Sequence, residues 1–143
     1  MKPDKEIITQ FRENGLRVTP QRRLIVEILA ETSIHPSVDD LYQQVKKKMP
    51  DISLATVYHT LHELVALGEL KEVEGLAGES TRYDTNTREH HHLYCEKCHQ
   101  IIDIEEDLGA LQIPKKKVSG YLISRSQVTF YGICPKCQND SIQ

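Results

Sequence analysis

Apolar positions recur with a helical period through the first half of the chain. Ile7, Ile8 and Phe11 share a face within residues 4–14, and Gly15 is placed to end that helix. Thr19-Pro20 reads as an N-cap followed by a first-turn proline, and Leu24, Ile25, Ile28 and Leu29 form the next stripe. Ser37-Val-Asp-Asp40 has the form of a capping box with Asp in the place of Glu. It opens a third face of Val38, Leu41, Tyr42 and Val45, and Pro50 marks the end. Ser53 caps a fourth helix with Leu54, Val57, Tyr58, Leu61, Leu64 and Val65 as its stripe and Gly68 as its stop.

After Gly68 the period falls to two. Residues 69–74 and 80–84 predict two short strands around a glycine-containing turn. Several short helices followed by a hairpin describe a winged helix-turn-helix, with the fourth helix as its reader and the hairpin as its wing. Residues 85–90 are polar and break the pattern, which places a hinge at about 80–90. The expected division is a winged-helix domain over 1–84 and a second domain over 85–143, which holds all four cysteines. In the second domain, residues 91–94, 101–104, 121–124 and 128–133 read as strands, giving an α+β chain. Residues 105–119 carry acidic helix caps, but Gly109 and Pro114 would shorten or break a helix there.

Composition narrows the field. Of 143 residues 27% are charged, and no apolar run reaches the length needed to span a bilayer. The opening MKPDKEIITQ lacks the apolar core of a signal peptide, so a cytoplasmic location is expected. The net charge of −3 argues against sequence-blind coating of nucleic acid. Local charge leaves specific binding open, because residues 1–25 carry six basic side chains against three acidic ones. The absence of Trp, with only two Phe, argues against an extensive aromatic ligand pocket.

The strongest chemical signal is Cys95-Glu-Lys-Cys98 together with Cys134-Pro-Lys-Cys137. Each two-residue gap lets one tight knuckle offer two sulfurs to one ion. Two knuckles complete a tetrahedral all-sulfur site, which suits structural zinc and leaves no open position for catalysis. A pair of redox CxxC motifs is the alternative, and it requires accessible thiols. The second signal is His90-His91-His92, in which His90 and His92 share a strand face. Asp84 precedes it by six residues, and Asp103 interrupts the apolar run Ile101–Ile104, where an unpaired carboxylate would be costly. Two imidazoles and two carboxylates suit Fe2+ or Mn2+ better than a thiolate site does. The third signal is the reader helix. Ser53, Thr56, Tyr58, His59 and Thr60 offer hydroxyl, ring and imidazole groups to bases and phosphates, though the same stripe would serve an ordinary bundle.

These residues together closely resemble the ferric uptake regulator family of metal-dependent repressors. The resemblance rests on Leu16-Arg-Val-Thr-Pro-Gln-Arg22, His35-Pro36, Ala55-Thr-Val-Tyr58, His90-His-His-Leu-Tyr-Cys95 and both Cys pairs. It implies a winged helix joined to an α/β dimerisation domain, and a homodimer that binds double-stranded operator DNA when metal is loaded. By the resemblance, His35, Asp84, His90, His92 and Asp103 would hold the regulatory Fe2+ or Mn2+. Cys95, Cys98, Cys134 and Cys137 would hold structural zinc. An ion shared by both domains would set the spacing of two reading helices across the dimer. Tyr58 would contact bases, Arg17 the minor groove or backbone, and His59 occupies a variable position on the DNA-binding helix.

Asp at both 84 and 103 is the pattern of the family's peroxide-sensing branch, PerR, where bound Fe2+ leads to oxidation of a ligand, here His35 or His90. An iron-responsive repressor is the nearest competitor. A zinc-responsive regulator is disfavoured by the carboxylates, and a metal-dependent hydrolase by the lack of a nucleophile or separate general base. Ser126 stands where some family members carry a further metal-binding His, so that additional site is not expected.

Overall fold

The computed structural model describes residues 1–76, 78–106, 119–123 and 126–140. The chain divides into two compact units, Met1–Thr87 and Arg88–Gln143.

The first unit is built from helices α1 (Asp4–Glu13), α2 (Pro20–Glu31), α3 (Val38–Lys48) and α4 (Leu54–Ala66), followed by the antiparallel hairpin β1 (Lys71–Val73) and β2 (Arg82–Asp84). Local chemistry sets the helix starts. The Thr19, Ser37 and Ser53 side chains accept from the backbone N–H of Arg22, Asp40 and Thr56. Asp40 also accepts from the Ser37 backbone, completing a capping box. Gly15 and Gly68 take positive φ immediately past α1 and α4, the conformation that ends a helix at least cost when no Cβ is present. Ile7, Phe11, Ile25, Leu29, Leu41, Val45, Val57, Leu61 and Leu64 are wholly buried in one cluster. An Arg22–Glu63 ion pair at 2.7 Å links α2 to α4 beside it.

The second unit holds a three-stranded sheet in the order β4-β3-β5, from β3 (His91–Cys95), β4 (Ile101–Ile104) and β5 (Thr129–Gly132). β3 runs antiparallel to β4 and parallel to β5. A short helix α5 (Pro135–Asp140) follows. The sequence reading does not anticipate α5. Residues 105–119, for which a helix is one of two open readings, fall almost wholly outside the described residues. Of the expected strand at 121–124, residues 121–123 are described and form no named strand.

Candidate metal centres and the DNA-reading helix

The four cysteines converge within the sheet unit. Their sulfurs all lie within 4.8 Å of one another. Cys98 and Cys134 are 3.8 Å apart, matching the about 3.8 Å edge of a tetrahedron with 2.3 Å zinc–sulfur bonds. Cys95 ends β3, and the chain turns back through the backbone bond from His99 N–H to the Cys95 carbonyl at 2.9 Å. His99 adopts φ 63°, a left-handed conformation that tightens this knuckle. In the second knuckle the Cys134 sulfur accepts from the Cys137 N–H at 3.4 Å, so it serves as the cap of α5. Pro135 then fits the first turn. A hydrogen bond from Cys134 N–H to the Cys95 sulfur at 3.3 Å joins the knuckles.

The sulfurs are electrostatically unequal. Backbone N–H donors from Cys98 and then Cys134 lower the Cys95 pKa to about 6. Hydrogen bonding with Cys134, followed by burial, pushes Cys137 up to about 12. Four thiols this close cannot all ionise unaided, so the donor set fits a divalent cation that neutralises them together.

The imidazoles and carboxylates occupy both units. In the helical unit, His35 lies on the α2–α3 loop and Asp84 ends β2. Both are buried, with His35 Nε2 and Asp84 Oδ2 3.3 Å apart. The Asp84 Oδ1 atom accepts from Asn86 N–H at 2.8 Å, fixing the carboxylate plane. In the sheet unit, His92 faces Asp103 across the β3–β4 ladder. His90 Nε2 and His92 Nε2 are 2.9 Å apart, and Asp103 Oδ1 lies 3.2 Å and 3.6 Å from them. Donors bound at right angles at about 2.1 Å would be about 3.0 Å apart, so this trio fits one ion. His90 Nδ1 meets the Arg88 carbonyl at 2.7 Å, and His92 Nδ1 meets the Gln127 amide at 2.6 Å. The Arg88 carbonyl accepts from His90 Nδ1–H, the outer support expected of an imidazole that ligates through Nε2, whereas the Gln127 amide nitrogen donates to His92 Nδ1. His91 points elsewhere and accepts from Val128 N–H at 2.9 Å, pinning β3 to the approach of β5. Gln127 was not singled out from sequence, because its contact with His92 depends on chain reversal, and Asn86 was passed over although its bond to Asp84 spans only two residues.

On α4 the buried face is Val57, Thr60, Leu61 and Leu64. Leu54 and Tyr58, counted in the apolar stripe, are instead 44% and 53% exposed. Thr60, expected among the groove-contacting groups, is buried, and its hydroxyl donates to the Thr56 carbonyl at 2.8 Å. Ser53 is occupied as the cap. The outward surface therefore centres on Tyr58 and His59, with His62 stacked near Tyr58 at 6.4 Å between ring centroids. His62 was legible as the residue four positions beyond Tyr58, on the same helical face. Arg17 is exposed on the α1–α2 connection, and its carbonyl accepts from Arg22.

A winged-helix arrangement of helices and hairpin, with a four-cysteine cluster and an imidazole–carboxylate ligand set in one chain, defines the class of metal-dependent transcriptional regulators. The chain belongs to the ferric uptake regulator family, whose sequence model matches residues 13–131. It is 34% identical over 137 residues to the peroxide-responsive repressor PerR of Staphylococcus epidermidis, spanning 95% of this chain and 91% of the relative. A solved zinc-bound manganese uptake regulator is similar at TM-score 0.72 and 30% identity, covering 93% of this chain and 99% of that one. The peroxide stress regulator of Campylobacter jejuni is similar at TM-score 0.66 and 33% identity, covering 96% of this chain and all of that one.

Proposed function

We propose that the protein is a homodimeric, metal-dependent repressor that holds double-stranded operator DNA while its regulatory metal is bound and releases it on exposure to peroxide. The observation that carries this reading is the register that sets His92 opposite Asp103, with His90 completing a nitrogen–oxygen donor trio. His35 and Asp84 supply a second donor pair from the helical unit. The five residues together are read as the ligands of one regulatory Fe2+ or Mn2+, with Cys95, Cys98, Cys134 and Cys137 holding zinc. Both carboxylates are Asp, the pattern that the family resemblance assigns to its peroxide-sensing branch.

In this mechanism the chain does most of the positioning. Arg88 and Gln127 orient the imidazoles of His90 and His92, and Asp103 supplies negative charge beside them. Bound Fe2+ would activate peroxide next to the imidazole ligands, so that one peroxide oxygen is added to a histidine ring, which gives up two electrons, and the other leaves as water. Gain of one oxygen on His35 or His90 would then impair its Nε2 as a donor. Loss of that donor would release the constraint that ligands from both units place on the reading helices. Tyr58 and His59 would face the major groove, and Arg17 would contact the minor groove or backbone. β5 lies at an edge of the described sheet and carries the exposed Tyr131, which supports pairing with a second copy. No helix among the described residues is long and apolar enough to cross a membrane. The reading assigns no enzymatic turnover.

The test is anaerobic loading with Fe2+ or Mn2+, a brief peroxide exposure, and then DNA binding and intact mass. The DNA is an operator selected from random duplexes by the Mn2+-loaded protein. The Fe2+ form is expected to lose its operator and gain one oxygen on a histidine, while the Mn2+ form keeps both mass and affinity. Tyr58→Ala should weaken operator binding by about 1–3 kcal/mol at unchanged metal content. An Fe2+ form that keeps its DNA and shows no oxidised His would replace the peroxide reading with an iron-responsive one.

A further inference from the structure

Arg82 opens β2, the second strand of the wing, and its guanidinium reaches back to the loop that carries His35. Its Nη1 donates to the His35 carbonyl at 3.2 Å. The same nitrogen lies 4.0 Å from Asp40 Oδ2, the oxygen that accepts from both the backbone and the hydroxyl of Ser37. Its Nη2 lies 3.8 Å from Glu79 in the wing turn. The backbones are joined as well. Ser37 and Arg82 form a β-bridge, and Tyr83 N–H donates to the Pro36 carbonyl at 2.8 Å. Loop 35–37 is thus fastened to β2 at the His35 and Pro36 carbonyls and at Ser37. Pro36 itself restricts His35 to extended conformations. The result is His35 Nε2 within 3.3 Å of Asp84, two residues beyond Arg82 on the same strand.

We propose that Arg82 is a positioning residue for His35. It clamps the α2–α3 loop onto the wing, so that metal held by His35 and Asp84 stiffens the wing directly. The inference rests on the metal site proposed above and adds a route from metal to DNA contained within a single DNA-binding unit. A simple structural role for Arg82 would affect the fold without favouring the metal-bound state. The clamp makes a reciprocal demand: whatever loosens loop 35–37 weakens metal binding, and metal binding tightens the loop.

The test uses the full zinc-containing chain. Mn2+ affinity is measured by competition with a chelating dye, and hydrogen exchange at the Tyr83 amide is followed in the same samples. Mn2+ is expected to slow Tyr83 exchange in the wild type. Arg82→Gln should weaken Mn2+ binding about tenfold, the lower end of the effect of losing a group that supports a metal ligand. It should also speed Tyr83 exchange in the Mn2+-free protein and leave zinc content unchanged. Arg82→Lys keeps a donor for the His35 carbonyl and should recover most of the affinity.

Equal Mn2+ affinities in the three proteins would overturn the clamp, as would a loss that Arg82→Lys shares in full. If Arg82→Gln melts below the assay temperature, Glu79→Gln reads the same network. A twofold or larger loss of Mn2+ affinity then supports the clamp and no change overturns it. His35→Ala separates the two levels of the argument. Mn2+ affinity indifferent to His35→Ala overturns the site and the clamp together. A fall with His35→Ala but none with the Arg82 and Glu79 variants overturns the clamp alone.

Discussion

The helical unit gathers 15 buried apolar side chains into one cluster, whereas the sheet unit buries Tyr94 and Ile101 beside Cys95 and Cys137 among its described residues. Tyr121, Leu122 and Tyr131 of the sheet unit are more than half exposed. At about 1.5–3 kcal/mol for each large apolar side chain removed from water, the helical cluster can offset the ordering of its own backbone. The two described ones contribute far less toward ordering three strands. A four-thiolate zinc site contributes about 10–16 kcal/mol at neutral pH, enough to make up that deficit. Among the described residues, the helical unit rests on the hydrophobic effect, and the cysteine cluster offers the sheet unit a source of stability in coordination chemistry.

The largest expected effect tests that contrast from the sheet side. Cys134→Ser removes one sulfur from the cluster and the cap of α5. Zinc should be lost and the sheet unit should unfold at ambient temperature, while the helical circular-dichroism signal of the first unit persists. Native mass spectrometry and thermal melting would check this, and a variant that retained zinc and a folded sheet would break the contrast. A smaller effect is expected from the helical side. Phe11→Ala opens a cavity in the centre of the cluster and should cost about 3–5 kcal/mol in urea unfolding of that unit. Zinc content should be unchanged, and coupled loss of zinc would show the two stabilities to be linked.

The smallest effect concerns acid. Burial raises the Glu69 carboxyl, but hydrogen bonds and charge from Lys2 outweigh it and hold the group below its ordinary 4.5. Because the folded value is the lower one, this contribution is present above the ordinary Glu range and fades as pH falls through the folded value. The melting temperature of the helical unit should drop over that window, and Lys2→Ala should flatten the dependence. Zinc release on acidification, read with a metal dye, should follow its own course as the thiolates protonate. Identical pH profiles for the two units would argue against separate sources of stability.

Much of the helical unit was legible because its signals are local. Thr19, Ser37 and Ser53 each cap a helix through a bond spanning three residues, a distance that sequence reports directly. The facing of α4 was harder to read. Apolar identity placed Tyr58 in the stripe and polarity placed Thr60 outside it, but packing reversed both. The cysteine cluster could be read from spacing alone. The position of Asp103 could not, because it depends on hairpin register, and a slip of one residue would turn it to the opposite face. The left-handed His99 in the connecting turn is a feature that spacing does not announce. α5 was missed although Cys134-Pro135 repeats the cap-and-proline pattern of Thr19-Pro20. Its cap is a sulfur, which is not among the usual oxygen caps.

The parallel pairing of β3 with β5 has a consequence for how the chain is made. Thr129 must find His92 across a long intervening stretch, a non-local contact of the kind that slows folding. During synthesis the helical unit can close as soon as β2 has left the ribosome. The first knuckle emerges next, with its two sulfurs and no mates until Cys137 follows. Over that interval the nascent chain carries a half-built metal trap, open to thiol chemistry and to whichever soft cation arrives first.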